Sequence, residues 1–250
     1  MIAIIGGTQM QDIFGGNPIP VEVETPFVEA SDSSEQKRIV TVYKFEDDLS
    51  FYFLPRHGLD GTTKAHQVDY RAHIWTLREL GVTQVIAGAT VGGVDSTLSS
   101  SSLLVPDQII DFTHSRIGSF DGAFGTEEHF DFSYPFTEEL RETLLDSASD
   151  LDIDVHHGGT YVCCQGPRLE TAAEIRFYHQ IGASVVGMTL MPEAALARQM
   201  ELKYAAFNLV VNPAAGVEEG VIDLDSTHEI GHKSDEVLGT WLLDVIGRLQ

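Results

Sequence analysis

What most constrains this chain is an unbroken alternation of short apolar runs, small-residue turns and amphipathic stretches from one end to the other. The runs at 2–5, 39–45, 51–54, 84–89, 103–105, 161–164, 184–188 and 205–211 read as strands covered on both faces. Between them, helical spacing is expected near 66–80, 136–150, 168–181, 192–201 and 226–248. The clearest stripes are Leu140, Leu144 and Leu145, and then Ile230, Val237, Trp241, Leu242, Val245 and Ile246. Strand and helix in turn predict an α/β fold with a central sheet flanked by helices. No segment has the composition of a linker, so residues 1–250 are expected to form one domain. Gly15-Gly16-Asn17-Pro18, Ser31 to Gln36 and Ser99 to Ser102 read as surface turns, and there is no internal repeat or heptad.

Charge narrows the partners. Fifteen Lys and Arg against thirty-eight Asp and Glu give a net charge of −23, which repels nucleic-acid backbones and acidic membranes. Neither is expected as a partner. The same field repels inorganic phosphate, so any anion site must be a local cluster of Arg, His, hydroxyls and backbone amides. No apolar run is long enough to span a bilayer, and Met1 leads straight into a strand without a basic leader, so a cytoplasmic protein is expected. The two cysteines, Cys163 and Cys164, are adjacent; neighbours seldom reach disulfide geometry, and two thiols fall short of a zinc site. They read as small core residues. The densest histidine pair, His156-His157, would point to opposite sides of a strand, and no H-E-x-x-H accompanies it, so no metal and no other cofactor is expected.

Six short segments place small or polar residues at the probable ends of strands. Ile4-Ile5-Gly6-Gly7-Thr8 brings backbone amides and a hydroxyl to a strand end, but its spacing departs from the dinucleotide-binding G-x-G-x-x-G. Arg56-His57-Gly58 would deliver a guanidinium and an imidazole together, a pairing suited to an oxyanion as well as to an idle surface. Ala89-Thr90-Val91-Gly92-Gly93 is a further cradle of small residues. Gln165 to Thr171 opens a helix through Pro167, where Glu170 could be a first-turn acid favoured by the helix dipole. Gly187 to Glu193 and Val210 to Gly216 end strands with Thr189 and Asn212; an Asn before Pro is commonly a turn former. None of these decides a function singly. Convergence on one pocket at the strand ends would.

Taken in order with the run Val68-Asp69-Tyr70-Arg71-Ala72-His73-Ile74-Trp75, these motifs make the chain resemble the trimeric purine nucleoside phosphorylases, in the methylthioadenosine and methylthioinosine phosphorylase branch. The resemblance covers nearly the whole chain. It implies a nucleoside phosphorylase fold, a homotrimer, inorganic phosphate as co-substrate and no further cofactor. It implies phosphate contacts from Thr8, Arg56, His57, Ala89, Thr90 and Thr189, with Met188 against the ribose. Leu169, Glu170, Asn212, Pro213 and Ala214 are expected around the base, with Asn212, His57 and Arg56 carrying the chemistry. His129 is expected to reach across a subunit interface to a neighbour's 5′ pocket.

The resemblance also points to a base. Relatives acting on 6-aminopurines carry aspartates where this chain has Asn212 and Ala214. An amide can donate to a 6-carbonyl and accept from a protonated N7, while Glu170 can accept from N1–H, which is the complement of hypoxanthine or guanine. Where relatives requiring a 5′-hydroxyl present a histidine, this chain reads Val221-Ile222-Asp223-Leu224, an apolar wall suited to a methylthio group, with Leu224 in the family's lining position. The expected reaction is phosphorolysis of a 5′-methylthio purine nucleoside through a ribosyl cation. Methylthioadenosine, or inosine and guanosine, are the alternative substrates, and a non-catalytic purine-binding protein is the alternative of another class.

Overall fold

Ile2 to Ile5 form the first strand, β1 (Ile2–Gly6), and their side chains alternate between two cores as the period of two requires. Ala3 and Ile5 face one core and Ile2 and Ile4 the other, so the sheet is covered on both sides as the unbroken apolar runs demand. The computed structural model describes residues 1–7, 10, 13–28 and 37–250, the side chains of residues 224–226 and 228 excepted. The turn expected at Ser31 to Gln36 lies outside the described residues.

In chain order the remaining strands are β2 (Ile19–Val28), β3 (Lys37–Glu46), β4 (Ser50–Pro55), β5 (Gln84–Gly93), β6 (Leu103–Val105), β7 (Gln108–Asp111), β8 (Val155–His157), β9 (Thr160–Cys163), β10 (Ala183–Gly187) and β11 (Lys203–Pro213). The helices are α1 (Tyr70–Glu79), α2 (Glu138–Asp150), α3 (Ala172–Gln180), α4 (Leu190–Gln199), α5 (Leu224–Lys233) and α6 (Asp235–Arg248). β5 is the hub of one mixed sheet. It runs parallel to β1 at its start and to β11 along its length, while Gly92 and Gly93 pair antiparallel with β10. β1 is also parallel to β4, so β1, β4, β5 and β11 all open their carboxyl ends in one direction, where α/β sheets bind ligands. α1 and α4 pack on one face with Ile74, Leu77 and Leu196; α2 and α6 cover the other with Leu140, Leu144 and Trp241. The Trp241 indole is fully buried and donates to the Leu144 carbonyl at 3.0 Å.

Several expected boundaries move, each for a local reason. The helix read from 66 starts at Tyr70, because Asp69 caps it by accepting from the Ala72 N–H at 3.1 Å. The helix read from 168 starts at Ala172, where Thr171 and Glu174 form a capping box. The first-turn acid is therefore Glu174, and Glu170 lies in the loop ahead of it. The long C-terminal helix is two helices meeting at Ser234. β2, β7 and β8 had no clear signal. β2 carries Pro20 and Pro26 and alternates largely between exposed and half-buried positions at the sheet edge, so it reads as polar loop. Cys163 and Cys164 are free and buried, and burial pushes both thiols up to about 12. Among the described residues no helix is long and apolar enough to cross a membrane.

His73, on α1, has a buried Nδ1 without a hydrogen-bond partner. Burial, and then the positive charges of Arg56 and Arg38, lower its pKa to about 3. The unfolded chain takes up this proton near 6.5. The neutral imidazole thus contributes stability above 6.5 that is lost progressively as pH falls towards 3. His73→Asn should accordingly lose less of its urea midpoint than the wild type does between pH 7 and pH 5. Parallel acid limbs in the two proteins would contradict this.

Candidate active site

β4 ends at Pro55, and the next residue is the most buried cation described: Arg56 is 1% exposed. Its Nε and Nη2 donate to the two carboxylate oxygens of Glu193 at 2.7 and 2.8 Å, and Nη1 donates to the Gly88 carbonyl at 2.8 Å. Glu193 sits on α4 at 0% exposure and also accepts from the Tyr204 hydroxyl at 2.8 Å. Burial works against the guanidinium's charge, but the Glu193 carboxylate outweighs it and holds Arg56 charged more firmly than usual. His57 follows. Its Nδ1 lies 2.8 Å from the Thr63 carbonyl, which can only accept, so Nδ1 carries the hydrogen and Nε2 keeps a lone pair. Burial, and then the Arg56 charge, hold its pKa below the ordinary histidine value.

Thr189 follows β10 by two residues. Its backbone N–H donates to the Tyr161 hydroxyl at 3.1 Å, while its own Oγ1 is buried with no partner. Gly187 makes this approach possible, since a Cβ there would meet the Tyr161 Oη at 2.3 Å. A buried hydroxyl without a partner is costly unless a ligand completes it.

Two adjoining cavities open at these strand ends. One, of about 450 Å³, is lined by Arg56, Gly88 and Ala89 together with Gly7 and Met10. The other, of about 580 Å³, is lined by Leu169, Glu170, Met188, Asn212, Ala214 and Ile222. His57, Thr90 and Thr189 line both, and join the half that holds Arg56, with Asp60 and Asp235 also on its lining, to a half that is apolar with a few polar groups. Glu170 is half-buried, and burial raises its carboxyl above the ordinary range. Asn212 Nδ2 donates to the Pro213 carbonyl at 2.7 Å, which sets the orientation of its amide and leaves Oδ1 and one N–H uncommitted by that bond.

The tertiary structure thus gathers Arg56, His57, Ala89, Thr90, Thr189, Met188, Leu169, Glu170, Asn212 and Ala214 around one cleft. Others fall elsewhere. Pro213 lines neither cavity, and its carbonyl accepts from Asn212 Nδ2. The apolar wall is thinner than expected: Ile222 lines the cleft, whereas Val221 is 98% exposed. Thr8 and the side chain of Leu224 lie outside the described residues. His129 is exposed and lines neither cavity. Among the described residues no three His, Cys, Asp or Glu side chains gather as a metal site would.

Sequence reasoning missed Tyr161 and Tyr204, ordinary aromatic residues on buried strands with no local signal. It missed as well the cavity-lining loop Gly61-Thr62-Thr63-Lys64. Glu193 did leave a signal, as an acid within the otherwise apolar run Leu190 to Leu196, where only a buried cation makes a carboxylate tolerable. Arg116 was missed too. It donates to the carbonyls of Met188 and Met191 at 2.8 and 2.6 Å and of Cys164 and Gln165 at 3.1 and 2.8 Å, tying the segment after β9 to the segment after β10.

A parallel-strand cleft with a carboxylate-anchored guanidinium in one half and an amide and a carboxyl in the other defines an enzyme of the nucleoside phosphorylase class. The chain belongs to the phosphorylase superfamily, whose family model matches residues 2–246. It is similar to the 6-oxopurine nucleoside phosphorylase of Pyrococcus furiosus, at 39% identity over 98% of this chain and 91% of the relative. It is 36% identical, over 99% of this chain and 91% of the relative, to a Thermodesulfovibrio yellowstonii protein called "Probable S-methyl-5'-thioinosine phosphorylase". Among solved structures, the methylthioadenosine phosphorylase of Schistosoma mansoni in complex with adenine superposes with a TM-score of 0.88 at 27% identity, covering 99% of this chain and 91% of that one.

Proposed function

We propose that this protein cleaves a 5′-methylthio purine nucleoside with phosphate, taking S-methyl-5′-thioinosine to hypoxanthine and 5-methylthioribose 1-phosphate. The observation that carries the reading is the base half of the cleft, where Asn212 stands with Ala214 and Glu170 and, among the described residues, no aspartate. An amide donor, an amide acceptor and a carboxylate match O6, protonated N7 and N1–H of a 6-oxopurine. Ile222 supplies an apolar contact suited to a methylthio group. The relatives named for 6-oxopurine nucleosides and for methylthioinosine support the same base.

In the proposed reaction, phosphate lies among Arg56, His57, Thr90, Thr189 and the Ala89 backbone. One phosphate oxygen bonds to C1′ as the C1′–N9 bond breaks, the electrons of that bond pass to the purine, and N7 takes a proton from water, which regains one from the hydrogen phosphate as it becomes the ester dianion. The anion stabilises the ribosyl cation between them. The neutral His57 Nε2 is suited to accept the remaining O–H of hydrogen phosphate. His129 acts from a neighbouring subunit of a cytoplasmic homotrimer. A sedimentation measurement returning a monomer would remove it from the site.

The deciding assay follows base release from methylthioinosine, methylthioadenosine and inosine, each with and without phosphate. Phosphate-dependent release fastest from methylthioinosine is expected. Fastest release from inosine would favour the second reading, a general 6-oxopurine nucleoside phosphorylase, which the Pyrococcus furiosus relative supports. Preference for methylthioadenosine would overturn the role given to Asn212.

A further inference from the structure

We infer that Glu193, backed by Tyr204, is the positioning residue of the phosphate half of the cleft, holding the Arg56 guanidinium in the one orientation that presents its free N–H groups to the oxyanion. The inference rests on the phosphate-site reading above. Glu193 is 0% exposed and lines neither cavity, so it acts only through Arg56.

A guanidinium has five N–H groups in a planar fork. Glu193 takes one from Nε and one from Nη2, and the Gly88 carbonyl takes one from Nη1, which leaves a single N–H on each terminal nitrogen. With three bonds in three directions, the plane cannot turn about its last torsion. Tyr204 braces the holder in its turn: its hydroxyl shares Oε1 with Nη2, so turning the carboxylate away would break both bonds together. Arg56 lines the smaller cavity with Ala89, Thr90 and Thr189, and Thr189 Oγ1 is buried there without a partner. Arg56, with two N–H groups left over from these bonds, and Thr189 thus line one cavity before any ligand arrives, the preorganisation an anion site needs where the whole protein's field is repulsive.

Stability alone gives little reason for this arrangement, because a well-packed apolar pair of the same volume is often as stable as a buried ion pair. A purely structural pair and a positioning pair differ in what their removal changes. Loss of the hold should weaken phosphate use and leave nucleoside binding as it was.

The test compares Tyr204→Phe and Glu193→Gln with the wild type. It measures KM for phosphate, KM for the nucleoside and calorimetric binding of inorganic phosphate, with a melting curve for each variant. Removing the Tyr204 hydroxyl deletes one neutral hydrogen bond, and KM for phosphate should rise about fivefold. Glu193→Gln sets an amide N–H against a donor and removes a charge-assisted pair, and the rise should be about thirtyfold. KM for the nucleoside should be unchanged in both. Folded variants with wild-type phosphate constants, or with both KM values raised together, would overturn the inference. If Glu193→Gln does not fold, Tyr204→Phe decides by the same two constants. Wild-type turnover indifferent to phosphate would remove the functional reading and this inference with it; wild-type phosphorolysis with unaltered variants would remove the inference alone.

Discussion

Arg56→Ala should produce a protein that has lost both phosphorolysis and a large part of its stability. The substitution leaves the Glu193 carboxylate at 0% exposure with only the Tyr204 hydroxyl beside it. Removing one partner of a buried ion pair costs about 3–5 kcal/mol, against a total of roughly 5–15 for a folded protein. A fall of that size in the unfolding free energy, read from urea titration, is the expected result. Phosphate-dependent turnover should fall by a hundredfold or more, since a donor directed at charge in the transition state is lost. The double variant Arg56→Met, Glu193→Leu separates the two effects. It should recover most of the stability, because the uncompensated charge is gone, and none of the turnover. Wild-type stability in Arg56→Ala would mean that the pair is not buried as described.

Asn212→Ala should lower turnover of a 6-oxopurine nucleoside by roughly a hundredfold, or about 3 kcal/mol, while leaving the fold intact. Asn212 is half-buried at the end of β11, and the bond it donates to Pro213 is a local one. The loss should therefore fall on base departure and not on packing. Asn212→Asp exchanges a donor for an acceptor and should shift preference from methylthioinosine towards methylthioadenosine, whose 6-amino group donates. The ratio of the two base-release rates measures this. If Asn212→Ala kept wild-type turnover on methylthioinosine, another group would be stabilising the leaving base.

The two predictions draw on different kinds of knowledge. Asn212 was visible as a residue because it stands where an apolar strand ends, and its amide chemistry is the same in any fold. What its amide contacts was not visible. The bond to the Pro213 carbonyl sets which side of the amide remains for a ligand. Arg56 was likewise visible as a candidate, yet nothing near it in the chain marks it as buried. Its partner Glu193 lies 137 residues away, and the two meet only in the folded chain, where α4 packs on α1 and β11. Glu170 shows the opposite case. Its position before a helix suggested a dipole-favoured acid, but Thr171 caps the helix one residue later, and Glu170 is left to face the cleft.

The alternation of apolar runs and amphipathic stretches determined the α/β class, the single covered sheet and most of its central strands, because periodicity is set by residues that are neighbours in the chain. It could not determine β2, β7 or β8, which are short or polar and hold their place through partners along their edges. The ordered motifs determined the family for the same local reason. Only the tertiary structure decided that His57, Thr90 and Thr189 join the cavity of Arg56 to the cavity of Asn212 and Glu170. It alone decided that Val221 turns to solvent while Ile222 lines the cleft, and that a carboxylate and two tyrosines stand behind the polar groups. Those arrangements depend on contacts between residues far apart in the chain, whose distances and burial no local pattern carries.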